Sequence, residues 1–115
     1  MLVKKLNREW FDKIKLGLKI YEGRPRIGDW ITIDKDDIIE FFCDLDRIKV
    51  KIIERLEFNN FESALALYGE QMLPGRHPGE WNDVYYKTES NNGIYDQQLI
   101  EVNGVVILKF ILFLG

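Results

Sequence analysis

The chain has 115 residues, enough for one domain, and its 46% apolar and 13% aromatic content supports a real core and excludes a disordered or low-complexity chain. The single Cys43 cannot form an internal disulfide, and no apolar run of signal length follows Lys4 and Lys5, so a cytoplasmic, intracellular protein is expected. The net charge of −3 hides an asymmetry. Residues 1–26 carry Lys4, Lys5, Arg8, Lys13, Lys15, Lys19, Arg24 and Arg26 against Glu9, Asp12 and Glu22, a local balance of +5. Residues 27–46 carry Asp29, Asp34, Asp36, Asp37, Glu40, Asp44 and Asp46 against Lys35, a balance of −6. A basic patch on an acidic protein can steer a phosphate, and the acidic 34–46 segment offers a surface for a protein partner. Both stretches also suit ordinary solvated faces. Phe110 to Leu114 is far too short to span a bilayer and reads as a buried strand, so no membrane partner is expected.

In chain order, Met1 to Leu6 reads as a first strand. Asn7 is a good N-cap, and Trp10, Phe11 and Ile14 recur at helical spacing, which predicts a helix over 8–16 stopped by Gly17. Lys19 to Arg24 reads as a second strand, and Pro25 with Gly28 as a turn. Trp30 and Thr32 alternate with Ile31 and Ile33, which predicts a strand from Asp29 to Ile33. A turn over 34–37 leads to a strand from Ile38 to Cys43, and a tight turn over 44–46 to a strand from Arg47 to Leu56. There Ile48, Val50 and Ile52 alternate with Arg47, Lys49 and Lys51. Phe61, Ala64, Leu65 and Tyr68 form a helical stripe expected to end near Gly69. Met72 to Trp81 is irregular, and a short helix is expected over 82–87. Residues 89–98 read as a polar loop with a turn at Asn91-Asn92-Gly93, and Val102 to Leu114 as a long last strand bent at Gly104. The layout predicts an α+β domain over 1–115: a small curled sheet or barrel of five or six mostly antiparallel strands with two or three helices.

The densest chemistry lies in Gly17-Leu18-Lys19-Ile20-Tyr21-Glu22-Gly23-Arg24. Glu22 and Arg24 are two apart and share one face of a strand, whereas Lys19 falls on the other. A bulge, or a turn near Gly17, is needed to bring all three together. Such a cluster can hold a phosphate, polarise a carbonyl or form an ion pair on a barrel rim. Lys19 suits a phosphate or oxyanion donor, or a desolvated base. Glu22 suits a general base, a hydrogen-bond acceptor, or the ion-pair partner of Arg24. Arg24 offers a planar fork, and Arg26 adds to either role. Tyr85, Tyr86 and Trp81 are candidates for stacking on a base, but adjacent tyrosines point apart, so at most one faces a cleft. They suit helix-on-sheet packing equally, and Trp10 and Trp30 read as core. His77 lies in an exposed-looking loop. With one His and one Cys there is no zinc set, so neither metal nor cofactor is expected. Glu101 is placed at the start of the last strand, as a cap or hydrogen-bonding group.

These residues resemble the ASCH domain of the PUA-like superfamily. Gly17-x-Lys19-x-x-Glu22-x-Arg24 is similar to its G-x-K-x-x-E-x-R signature, and Ile27-Gly28-Asp29-Trp30-Ile31 to its Gly-Asp strand entry. Phe58 to Glu62, Met72-Leu73-Pro74-Gly75, Val84-Tyr85-Tyr86 and Glu101-x-x-Gly104-Val105-Val106 follow in family order. The segment between Arg24 and Gly28 is shorter than in many relatives, which trims one wall of the expected cleft. The resemblance implies a five- or six-stranded β-barrel with flanking helices and a cleft lined by Lys19, Glu22 and Arg24. It implies binding of RNA or a modified nucleoside or nucleotide, with Lys19 and Arg24 on phosphate and Glu22 on a base or ribose hydroxyl. Arg26 and Tyr85 would add contacts. The alternative it implies is a small hydrolase acting on a modified nucleoside, or a ribonuclease, with Lys19 and Glu22 as the catalytic pair. Relatives that hydrolyse the acetyl amide of 4-acetylcytidine keep the Lys but have Thr where this chain has Glu22, so a Thr nucleophile does not carry over. Other relatives serve as transcription coactivator modules.

Overall fold

The computed structural model describes residues 1–88, 91–92 and 95–114. The chain runs β1 (Leu2–Lys5), α1 (Arg8–Lys15), β2 (Tyr21–Pro25), a 3-10 turn (Gly28–Ile31), β3 (Ile38–Cys43), β4 (Asp46–Phe58) and α2 (Phe61–Met72). A second 3-10 turn (Pro78–Glu80), α3 (Trp81–Tyr85), β5 (Lys87–Thr88), β6 (Asn91–Asn92), α4 (Gln97–Asn103) and β7 (Val105–Leu112) complete it. Five strands form one curled sheet in the order β1-β3-β4-β7-β2, and β5 pairs only with β6. Only β1 and β3 run parallel; the other pairs in the sheet are antiparallel. The expected α+β architecture is present, but β1 and β2 remain edges, so the sheet is a half-barrel rather than a closed barrel. Four α-helices accompany it among the described residues.

The central strand β7 explains why helices must cover both faces. Val106, Leu108 and Phe110 join Phe11, Ile14, Phe41 and Ile52 in one core, under α1. Val105 and Ile107, on the opposite face, join Phe61, Leu65, Met72 and Ile100 in a second core, under α2 and α4. A strand buried on both sides reads as a continuous apolar run rather than an alternation. In β4 the register shifts between Ile52 and Glu54, so an extra residue reverses the alternation. Val50 and Ile52 therefore feed the first core, and Leu56 and Phe58 the second.

Several local expectations are corrected. Residues 29–33 are not a strand. Gly28 has φ +56° and opens the 3-10 turn; over this stretch Trp30 and Ile33 are buried while Ile31 and Thr32 are exposed. Arg55 of β4 donates to the carbonyls of Trp30 and Ile33, which a turn leaves without partners. Asn7 occupies the N-cap of α1 but makes no side-chain capping bond. The short helix over 82–87 is α3, one residue earlier and ending at Tyr85, and Lys87 already belongs to β5. Asn91 and Asn92 form β6 rather than a turn, and Gly93 lies outside the described residues. The last strand begins at Val105 rather than Val102, because α4 precedes it, capped by Asp96 accepting from the Gln98 N–H at 2.8 Å and ended by Gly104 at φ +72°. Glu101 is thus an exposed residue on α4, not a group at a strand start.

Helix α2 runs past Gly69 to Met72. Gly69 is not a stop; it makes room for an aromatic ring, since a Cβ there would lie 2.2 Å from the Trp81 ring. Gly69→Ala is expected to destabilise the fold by about 1–3 kcal/mol despite alanine's better helix propensity, because the indole must move. Urea unfolding checks this, and an alanine variant at least as stable as the parent would refute the packing role.

Candidate functional site

The ending of α1 decides where Lys19 goes. Gly17 (φ +77°) closes a Schellman turn, with the Leu18 N–H on the Lys13 carbonyl at 2.9 Å and the Gly17 N–H on the Ile14 carbonyl at 3.0 Å. The Lys19 N–H adds a bond to the Lys13 carbonyl at 3.1 Å, so Lys19 precedes β2 and escapes its alternation. The turn near Gly17 therefore brings Lys19, Glu22 and Arg24 together.

The Lys19 side chain is only 1% exposed. Its Nζ donates to the Tyr21 carbonyl at 2.7 Å and to the Met72 carbonyl in the last turn of α2, and stands 3.9 Å from Glu22 Oε1. Glu22 Oε1 accepts from the Gly23 N–H at 3.1 Å. Glu22 Oε2 lies 3.7 Å from Arg24 Nη2, outside hydrogen-bond range, and is buried without a hydrogen-bond partner. The Tyr85 hydroxyl is likewise buried and unpartnered. Arg24 stacks its guanidinium 4.9 Å from the Trp30 ring centre.

These groups line a cavity of about 130 Å³ at the seam between the two edge strands. Lys5, Leu6 and Asn7 form the β1 side; Lys19, Glu22 and Arg24 form the β2 side. Trp10, Tyr85 and Tyr95 supply aromatic walls. Apolar cavities of roughly 150 Å³ accommodate benzene, so the space suits one six-membered ring. Tyr85 stacks on Phe61 with ring centres 4.0 Å apart and planes 7° apart, which fixes its orientation. Trp10 is ringed by Lys13, Lys19 and Arg76, at 5.1, 5.4 and 5.7 Å from its ring centre. Glu9 holds that wall in place, accepting two bonds from Arg76 at 2.9 and 2.8 Å and one from Lys13 at 3.4 Å.

Burial lowers the Lys19 pKa from its usual value, and the neighbouring Glu22 only partly opposes this. Burial also disfavours the Arg24 cation, but Glu22, Tyr95 and Tyr85 more than offset it, and its pKa is raised. The Tyr85 hydroxyl is pushed well above its usual range, first by burial and then by Glu22. Tyr85 therefore remains a neutral donor and acceptor at physiological pH.

Other expected site residues lie elsewhere. Arg26 turns out of the cavity and pairs with Glu57 at 3.0 Å, because the strand ends at Pro25. Trp81 packs on Gly69 and donates to the Arg76 carbonyl at 3.2 Å. Tyr86 points away from Tyr85; its hydroxyl donates to Glu62 and accepts from the Phe61 N–H. His77 is exposed at the start of the second 3-10 turn. Among the described residues no three His, Cys, Asp or Glu side chains cluster as metal ligands. Lys5, Asn7, Trp10 and Tyr95 line the cavity without a signal in their local sequence. Tyr95 arrives through a bridge to Tyr86 and a 2.7 Å bond from its N–H to the Tyr85 carbonyl, pairings that no spacing rule encodes.

Two solved structures resemble the chain over nearly its whole length. The hypothetical protein PH0355 is 27% identical, with a TM-score of 0.84 over 97% of this chain and 98% of that one. PF0455 from Pyrococcus furiosus is 27% identical, with a TM-score of 0.77 over 99% and 98%. A variant of ZmASCH from Zymomonas mobilis is 15% identical, with a TM-score of 0.65 over 95% of this chain and 67% of that one. The fold is thus ASCH-like. No family model and no curated protein matches the sequence.

Lys19→Met is expected to cost about 3 kcal/mol or more, because two carbonyls and Glu22 lose a buried cation. The wild-type advantage should also depend on pH. The folded Lys19 releases its proton below the ordinary 10.5, so the unfolded chain binds more protons in that interval and stability rises with pH. Urea unfolding of both proteins between neutrality and that value should show the difference widening as pH increases. Parallel curves would show that burial does not depress the Lys19 pKa.

Proposed function

We propose that this protein binds RNA or a nucleotide by seating one base in the cleft between β1 and β2. The observation that carries the reading is the pair of buried, unpartnered polar atoms, Glu22 Oε2 and the Tyr85 hydroxyl, facing one ring-sized cavity. A buried polar group without a partner costs about 1–3 kcal/mol, which a ligand's polar edge would recover. Glu22 accepts from a ring or exocyclic N–H. Arg24 donates to a carbonyl or hydroxyl oxygen of the ligand. Tyr85, Trp10 and Tyr95 supply apolar and stacking surface for the ring. Lys19, with two of its protons on backbone carbonyls, presents its remaining proton toward Glu22 and the cavity floor. The ASCH-like fold agrees with this reading at the level of architecture.

A second reading is a small hydrolase acting on a modified nucleoside, favoured by the 3.9 Å approach of Lys19 to Glu22 within the cleft. There Lys19 would stabilise an oxyanion, and Glu22 would move the proton between the attacking water and the leaving group.

Titration of short single-stranded RNA and of unmodified and acylated nucleosides, by fluorescence anisotropy and calorimetry with chromatography of the products, separates the readings. Glu22→Gln and Arg24→Ala should each weaken binding by about tenfold or more, a loss of one charged hydrogen bond. Unchanged affinity in both variants would refute the binding reading. Products that form in the parent but not in Glu22→Gln would establish the hydrolase, and full turnover by that variant would remove Glu22 from the chemistry.

A further inference from the structure

The cations around the cleft are nearly all engaged by acids. Lys19 and Arg24 flank Glu22, Lys13 and Arg76 share Glu9, and Lys4 reaches Asp29. Lys5, the last residue of edge strand β1, is exposed, lines the same cavity and has no ion pair among the described residues. Next to it begins α1, an eight-residue helix whose N-cap, Asn7, also lines the cavity and contributes no side-chain cap. The Trp10 and Phe11 N–H groups bond to the Asn7 carbonyl at 3.1 and 3.0 Å, which leaves those of Arg8 and Glu9 at the open end of the helix. An uncapped helix start carries a partial positive charge and free N–H donors, an arrangement suited to an anion. Independent of the helix, Glu22 Oε2 and the Tyr85 hydroxyl, on side chains more than nine-tenths buried, are aimed unpartnered into the same space.

We propose that the mouth of the cleft is a phosphate site formed by Lys5 and the open first turn of α1. The bound compound then enters with its ring against Glu22 and Tyr85 and its phosphate at Asn7. This rests on the base-binding reading above and makes the ligand two-ended: a donor-bearing ring inside, an anion outside. The shared chemistry is a phosphate ester next to a base, which either a free mononucleotide or an RNA strand supplies. Glu22 excludes the reverse orientation, because a phosphate at the floor would face a buried carboxylate.

The test is calorimetry on the full chain with matched pairs, each nucleoside against its 5′-monophosphate, and with a short single-stranded RNA. The monophosphate is expected to bind about tenfold more tightly than its nucleoside at low salt, and the advantage should shrink as salt rises. Lys5→Gln should remove most of that advantage, weakening the monophosphate far more than the nucleoside; Lys35→Gln, in a distant exposed turn, should leave both unchanged. RNA affected by Lys5→Gln to the same extent as the monophosphate would assign the site to a strand's backbone; a loss confined to the monophosphate would assign it to a free nucleotide. Equal affinity for nucleoside and monophosphate, or an advantage that survives Lys5→Gln, overturns the phosphate site while the base-binding reading stands. If neither compound nor RNA binds, both fall together.

Discussion

The Lys19 ammonium, seated on the carbonyls of Tyr21 and Met72, is the interaction on which the rest of the site depends. Removing an ion from water costs several kcal/mol, and a buried cation persists only where oxygens replace its hydration. Here the replacements come from two elements. The Tyr21 carbonyl is at the start of β2, and the Met72 carbonyl is one of those that the end of α2 leaves without an intrahelical partner. The ammonium also sits where the α2 dipole is negative. One side chain thus fastens the first residue of β2 to the last turn of α2, and the Ile20 N–H on the Gln71 carbonyl at 3.2 Å repeats the tie along the backbone. Glu22 is then held between Lys19 and Arg24, which turns Oε2 toward the cavity rather than toward solvent.

The open seam of the half-barrel explains why a polar site can exist in so apolar a fold. A closed barrel would pair β1 with β2 and hide the edge groups of both. Instead, the edges stand apart, and the start of α1, the end of α3 and Tyr95 bridge them. The floor is rigid because β2 pairs along its whole length with β7, whose side chains are fixed in two cores. Gly23, between Glu22 and Arg24, allows Met72, Phe61 and Ile107 to pack against the strand from behind; a Cβ there would stand 3.0 Å from the Met72 methyl. The two charged residues are therefore presented by a strand with little freedom to move, which a pre-organised binding site requires.

The parts legible in the sequence were those governed by local periodicity. The alternation in β3 and in the first half of β4, the amphipathic α1 and the apolar stripe of α2 all follow short-range rules, and the Gly17 stop positions Lys19. The failures had tertiary causes. A period-2 pattern over 29–33 was overridden by a positive φ at Gly28 and by Arg55 reaching across from β4. Gly69 looked like a helix end because its purpose is a contact with Trp81, twelve residues away. Helix α4 did carry an Asp cap and a terminal Gly, but its short, mostly polar turns lack a strong apolar stripe and merged with the following strand. Lys19, Glu22 and Arg24 were recognisable as a group; Lys5, Trp10 and Tyr95 were not, since they reach the cavity from three separate elements.

Charge pairing narrows what the cleft can bind. The basic excess of residues 1–26 and the acidic excess of residues 27–46 do not form opposing open surfaces. Arg8 meets Asp44 at 3.1 Å and Asp46 at 3.0 Å, and Lys4 meets Asp29 at 3.3 Å, so the two segments neutralise one another across the β1–β3 edge. Glu40 and Asp36 are engaged by Arg47 and Lys51, and Asp37 accepts from the Asp34 N–H. A protein that wraps a long polyanion needs a track of unengaged cations, and its affinity falls steeply with salt in proportion to their number. Among the described residues, Lys5 is the cation lining the ring-sized cavity that has no ion pair, and the unpaired Lys15, Lys35, Lys49 and Lys109 do not line it. If the cleft seats a base as proposed, that arrangement suits a single nucleotide unit better than a long polyanion.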